Sequence, residues 1–175
     1  MAGSLIKIDE EIVTSAVSSV TLGGTKWDSS YDVYMVTVMG AEMSSLVDIP
    51  FRFTVSGTAD SSSNYDYASK RLRTSSAFSN LSATNQAQID MSVAVSGSND
   101  LAMFNIYIFN ANNSSEYTFC TLESVNTSDG TAILQGDTGG GVLTVAQATD
   151  GIQFFDNGAT ANIISGTFTL YGLKK

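Results

Sequence analysis

The 175-residue chain contains no histidine. That absence excludes Ser-His-Asp triads, Cys-His dyads and zinc sites with an imidazole ligand. Cysteine occurs once, at Cys120, which excludes an internal disulfide, a disulfide scaffold and a thiolate cluster. Proline occurs once, at Pro50. It withholds an N–H, so the strand around it is expected at an edge or with a bulge. Charge is scarce: 14% of residues are charged, against about 25% in an average soluble domain. Positive charge is scarcest, with 8 Lys and Arg against 17 Asp and Glu, a net −9. That sign argues against nucleic acid as a partner and against an anionic membrane surface. No segment approaches the roughly 20 apolar residues of a membrane helix, so no membrane insertion is expected. The N-terminus MAGSLIKIDEE lacks the basic region and apolar run of a signal peptide. Amphipathic helical periodicity is missing too; only Asp9, Glu10 and Glu11 suggest a single helical turn, since acids favour a helix N-terminus.

What the chain has is alternation. In Tyr31 to Met39, residues Tyr31, Val33, Met35, Thr37 and Met39 share one face, and Asp32, Tyr34, Val36 and Val38 the other. Successive side chains leave opposite sides of a pleat, so period 2 reads as a strand. Phe51, Phe53 and Val55 repeat the pattern, as do Ile89, Met91, Val93 and Val95, and Ile164, Phe168 and Leu170. Cys120 falls in phase with Thr118 and Leu122, which makes it a small buried hydrophobe. Turn residues recur every 8–15 residues or so, which predicts about ten to twelve short strands. The fold expected is all-β, an antiparallel β-sandwich of the jelly-roll type. Residues 16–175 form its single domain, and residues 1–15 an N-terminal edge strand or anchor. Gly57 to Asn64 and Ser76 to Gln86 read as polar connections, and Gly139-Gly140-Gly141 as a turn.

Chemistry-bearing residues are few. Asp28 with Asp32, Asp60 with Asp66 and Asp150 with Asp156 are paired carboxylates. All are read as turn residues serving the backbone rather than a glycosidic bond, so no catalytic residue is assigned. A structural calcium ion needs about six to eight oxygens, and no EF-hand or repeat spacing supplies them, so neither metal nor cofactor is expected. Lys70, Arg71 and Arg73 make the one basic cluster. Arg71 and Arg73 share a strand face, which is either solvated or a contact for an acidic subunit or glycan acid. Trp27, Tyr65 and Tyr67 are candidates for stacking on sugar, weighed against plain packing. Leu101 to Phe109 is apolar on both faces, with Tyr107 and Phe109 opposite Phe104, Ile106 and Ile108. Such a strand is buried on both faces, or one face meets another subunit, which makes Tyr107 and Phe109 candidates for a homo-oligomer interface.

Two stretches carry a resemblance. Ser18 to Val38, SSVTLGGTKWDSSYDVYMVTV, has an apolar strand, a Gly and Asp turn and a Tyr-Asp-x-Tyr strand at Tyr31 to Tyr34. Ile164 to Lys174, ISGTFTLYGLK, ends in Leu-Tyr-Gly-Leu-Lys. Together they resemble small structural proteins of tailed-phage virions, of a tail-fibre-like family. The resemblance covers about a quarter of the chain, and where relatives carry an Arg-rich strand this chain has only Arg52. It implies a non-enzymatic virion protein, made in the host cytoplasm and released by lysis. It also implies a homo-oligomer, a trimer by family habit, that contacts other virion proteins and a host surface glycan. Tail-fibre or host-adhesion apparatus is the leading place, capsid decoration the alternative. A free carbohydrate-binding module is the reading from another class. Independently of the resemblance, Gly166 and Gly172 fall in phase with Phe168 and Leu170, which suits the approach of an aromatic ring to the backbone.

Overall fold

In Leu101 to Phe109 the period of two becomes burial. Phe104, Ile106 and Ile108 are fully buried, while Met103 and Tyr107 point out. The same alternation runs through a computed structural model that describes residues 4–75, 78–91, 94–95, 101–128 and 133–174. Its strands are β1 (Leu5–Val13), β2 (Ser19–Gly23), β3 (Tyr31–Met43), β4 (Val47–Asp48), β5 (Phe51–Val55), β6 (Thr58–Ala59), β7 (Tyr65–Arg73), β8 (Ser79–Gln86), β9 (Ala94–Val95), β10 (Ala102–Phe109), β11 (Thr118–Ser128), β12 (Ile133–Leu143), β13 (Gly151–Phe155) and β14 (Ile163–Lys174). The count exceeds ten to twelve because β4, β6 and β9 are two-residue strands that periodicity cannot detect. One 3-10 turn, Gly24–Lys26, is the helical element among the described residues.

An eight-stranded sheet runs β1-β14-β3-β10-β11-β12-β7-β8. A four-stranded sheet, β2-β13-β5-β6, packs on part of it, and β4 pairs with β9. Every pairing is antiparallel, so the chain is an antiparallel β-sandwich. The core between the sheets is aromatic. Phe154 on β13 lies 5.3 Å from Phe168 on β14, 6.5 Å from Phe104 on β10 and 6.0 Å from Phe51 on β5. Such offset pairs add about 0.5–1.5 kcal/mol each beyond the area they bury.

Several expectations are corrected. Asp9 to Glu11 lie inside β1, because Glu10 and Glu11 pair with Thr169 and Phe168 of β14; tertiary pairing overrides the acidic start signal. Pro50 makes neither an edge nor a bulge in one long strand. It separates β4 from β5, which belong to different sheets. Residues 79–86 form β8 rather than a connection, paired to β7. Gly139-Gly140-Gly141 is no turn: β12 runs straight through it between β11 and β7. A Cβ at Gly139 would sit 2.2 Å from the Ala68 carbonyl oxygen, and one at Gly140 2.6 Å from that of Cys120. These glycines mark close backbone approach. Ile89 and Met91 are buried and Phe51 bridges Ile89, while Val93 lies outside the described residues. Gly57 to Asn64 is a polar connection as expected, with no buried residue, and it is tied down at Asp60 and Asn64. Gln147 donates to the Asp60 carboxylate at 2.8 Å, and the Thr144 N–H to the Asn64 carbonyl at 2.8 Å.

Candidate functional site

Most exposed apolar surface of the described chain lies on the outer face of the eight-stranded sheet, away from the four-stranded one. Register lines its side chains up across strands. One row runs Leu5, Leu173, Val33, Phe109, Phe119, Val142. The next runs Lys7, Tyr171, Met35, Tyr107, Thr121, Gly140. A polar row follows: Glu10, Thr169, Thr37, Asn105, Glu123, Thr138, Lys70. Beyond it Met39, Met103, Val125 and Leu72 restore apolar character, Met39 being 54% exposed. Phe119 and Tyr107 are 45% and 44% exposed. Each strand contributes because its alternate positions already fill the core, so the outward set is spare.

Glycine shapes this face. Gly136 and Gly140 on β12 have no side chain to stand between the strands flanking them. A groove of about 410 Å³ opens beside Gly136, walled by Leu72, Phe78, Val125 and Leu134. A shallower one crosses Gly140 between Phe119, Val142 and Ala68. The chemistry these grooves offer is dispersion and burial of apolar area, with few hydrogen-bonding groups.

Of the residues singled out from sequence, Tyr107 lies on this face and Phe109 is half-buried in its first row. The sugar-stacking candidates do not. Trp27 is 3% exposed, stacked on Tyr34 at 4.1 Å and 12°. Its Nε1 is buried without a hydrogen-bond partner. Tyr34 donates to the Asp28 carbonyl, and burial pushes its phenol pKa up to about 12. Tyr65 is fully buried. It accepts from the Phe53 N–H and donates to the Asp60 carbonyl, both at 3.1 Å, pinning β7 to the small sheet. Burial raises its pKa as well. Tyr67 is half-buried on the same inward side. These rings are packing residues: Trp27 and Tyr65 belong to the buried core and Tyr67 packs against it.

Arg71 and Arg73 do share a face, but it is the inner one, and both are engaged within the chain. Arg71 pairs with the buried Asp137 carboxylate at 3.3 Å, and Arg73 Nε donates to Gln135 Oε1 at 2.6 Å. Burial raises the Asp137 pKa, while Arg71 and Ser69 hold it down. Burial, Asp90 and Asp137 push Asp48 up to about 6, against the pull of Arg71.

Of the paired carboxylates, Asp28, Asp60, Asp66, Asp150 and Asp156 accept from backbone N–H groups, and Asp32 and Asp66 lie on strands rather than in turns. Asp28 accepts from the Ser30 N–H at 2.8 Å, Asp66 from Asn85 at 2.8 Å and Asp150 from Gly57 at 2.7 Å. Asp156 takes the N–H groups of Gly158, Thr160 and Ala161. No group of three or more potential metal-ligating side chains occurs among the described residues.

No known protein family, curated protein or solved structure matches the chain. The outer face itself contains residues that the sequence reading passed over, chiefly Phe119, Val125, Met39 and Leu72. A signal existed: placing Cys120 and Leu122 inward leaves Phe119, Thr121, Glu123 and Val125 outward on the same strand.

Proposed function

We propose that the chain is a non-enzymatic structural protein of a tailed-phage virion. It is exposed on the particle, in the tail-fibre or host-adhesion apparatus, and assembles as a homo-oligomer. The observation that carries this reading is how the two resembling stretches meet. Tyr31 to Tyr34 and the Leu-Tyr-Gly-Leu end are more than a hundred residues apart, yet β3 and β14 are neighbours, with Tyr34 opposite Gly172 and Val33 opposite Leu173. The motifs therefore form one structural unit next to the β1 edge of the large sheet, as expected if they were inherited together.

The jelly-roll reading is part of the same proposal. Leaving aside β4 and β9 and the wing of β7, β8, β11 and β12, eight strands remain. In chain order the first lies beside the eighth, the second beside the seventh, the third beside the sixth and the fourth beside the fifth. A long hairpin wrapped into two sheets has that order. The carbohydrate-module reading is weakened, since Trp27 and Tyr65 are core residues.

Antibody raised against the pure chain, viewed by electron microscopy on intact particles, tests the assignment. Label at the tail supports an adhesion role. Label over the head moves the protein to capsid decoration, and unlabelled particles defeat the virion reading. A panel of host polysaccharides incubated with the chain should stay uncut.

A further inference from the structure

We infer that the outer face of the eight-stranded sheet is the contact between copies of this chain. The inference rests on the homo-oligomer reading above and names the surface that reading needs. Leu5, Leu173, Val33, Phe109, Phe119 and Val142 cross six strands in register without one polar side chain. Of the large hydrophobics left exposed in the described chain, most lie in these rows or wall the groove beside Gly136; Ile6, Leu46 and Tyr117 are among those that do not. Large contiguous apolar patches are uncommon on monomers and mark contact surfaces.

Area and charge together specify the occupant. Six strands at ~4.8 Å spacing and four rows at ~6.8 Å present roughly 800 Å². A stable protein contact buries about 800 Å² on each partner. The chain carries −9 overall, yet this face is close to balanced, with Lys7 and Lys70 among Glu10, Asp66 and Glu123. A surface that meets a copy of itself cannot carry the chain's general negative charge, because like charges would be brought together. Glu123 and Lys70 flank Thr138 on one row, so each sign has an opposite available on a second copy.

Size-exclusion chromatography with light scattering on the full chain at micromolar concentration should give a whole multiple of 18.5 kDa. Phe119→Lys and Tyr107→Lys should each return the single-chain mass with the strand signal in circular dichroism unchanged. Should either fail to fold, Thr121→Arg replaces an exposed side chain and should dissociate the assembly in the same way. Leu46→Lys, exposed but off the face, should keep the wild-type mass. A wild-type mass of one chain overturns this inference and the homo-oligomer reading together. A multiple that survives Phe119→Lys, Tyr107→Lys and Thr121→Arg overturns the face alone, as does dissociation by Leu46→Lys.

Discussion

Gly172 lies against the ring of Tyr31: a Cβ at Gly172 would come within 2.4 Å of the ring's Cγ and Cδ1. The glycine of the terminal Leu-Tyr-Gly-Leu stretch is thus required by the first tyrosine of the Tyr-Asp-x-Tyr stretch. Tyr31 in turn meets Tyr34 edge-on at 5.8 Å, and Tyr34 stacks on Trp27. Backbone, ring, ring and indole form one continuous line of contacts anchored where β14 passes β3.

Gly172→Ala should therefore destabilise the fold, by about 1–3 kcal/mol as for other overpacked sites. Urea denaturation followed by circular dichroism measures it. Combining it with Tyr31→Ala should recover part of the loss, because the clash is with that ring and the two sites are coupled. A cost unchanged by removal of the ring would show that Tyr31 is not what the glycine accommodates.

Trp27→Ala should cost about 3–5 kcal/mol, the usual range for a large core aromatic. Trp27→Phe should cost far less than loss of a hydrogen-bonded indole would, since Nε1 has no partner to lose. Thermal melts of both variants check this. Near-wild-type stability of Trp27→Ala would return the indole to the surface and revive sugar stacking.

Glycine should matter in β12 and much less in the Gly57 turn. A Cβ at Gly139 meets strand backbone on β7, whereas one at Gly57 meets open space, although its φ is +75°. Gly57→Ala should cost about 1 kcal/mol for the left-handed backbone. Gly139→Ala should leave little soluble, folded chain. Soluble yield and urea midpoints compare them, and equal tolerance would mean the glycine run is a turn after all.

Stability should depend on pH through Asp48. Its folded pKa of about 6 lies above the ordinary 3.8, with burial the largest cause and the neighbouring carboxylates next. The folded state therefore holds this proton more tightly than the unfolded state. The contribution is fully present below pH 3.8 and is lost as the pH rises through about 6. Asp48→Asn should then stabilise the chain at pH 7 by about 1 kcal/mol, discounted for partial solvent screening, and should give no advantage at pH 4. Urea melts at the two pH values check it, and a benefit equal at both would assign the effect to packing.

The local signal carried far in this chain. Alternation in Tyr31 to Met39, Phe51 to Val55 and Leu101 to Phe109 identified strands and their inward faces, because side-chain period 2 is a property of the pleat alone. Cys120 was legible as a core residue from its phase with Thr118 and Leu122, and Gly172 as a site of ring approach from its phase with Leu170. Absences were equally local: without histidine, whole classes of catalytic site never arise.

What lay beyond the sequence was whatever depends on a neighbour distant in the chain. Acids that favour a helix start became strand because β14 pairs with β1. A glycine run that reads as a turn became mid-strand because Ala68 and Cys120 press on it from both sides. Trp27 and Tyr65 look alike as surface or core rings until Tyr34 and Phe53 arrive against them. The outer apolar face is the clearest case. Each strand contributes one or two spare hydrophobics, harmless singly, and only antiparallel register brings Phe109 of β10 beside Phe119 of β11 and Val33 of β3. Composition and periodicity determined that strands form and which way each faces; the order in which they pair decided what surface those faces add up to.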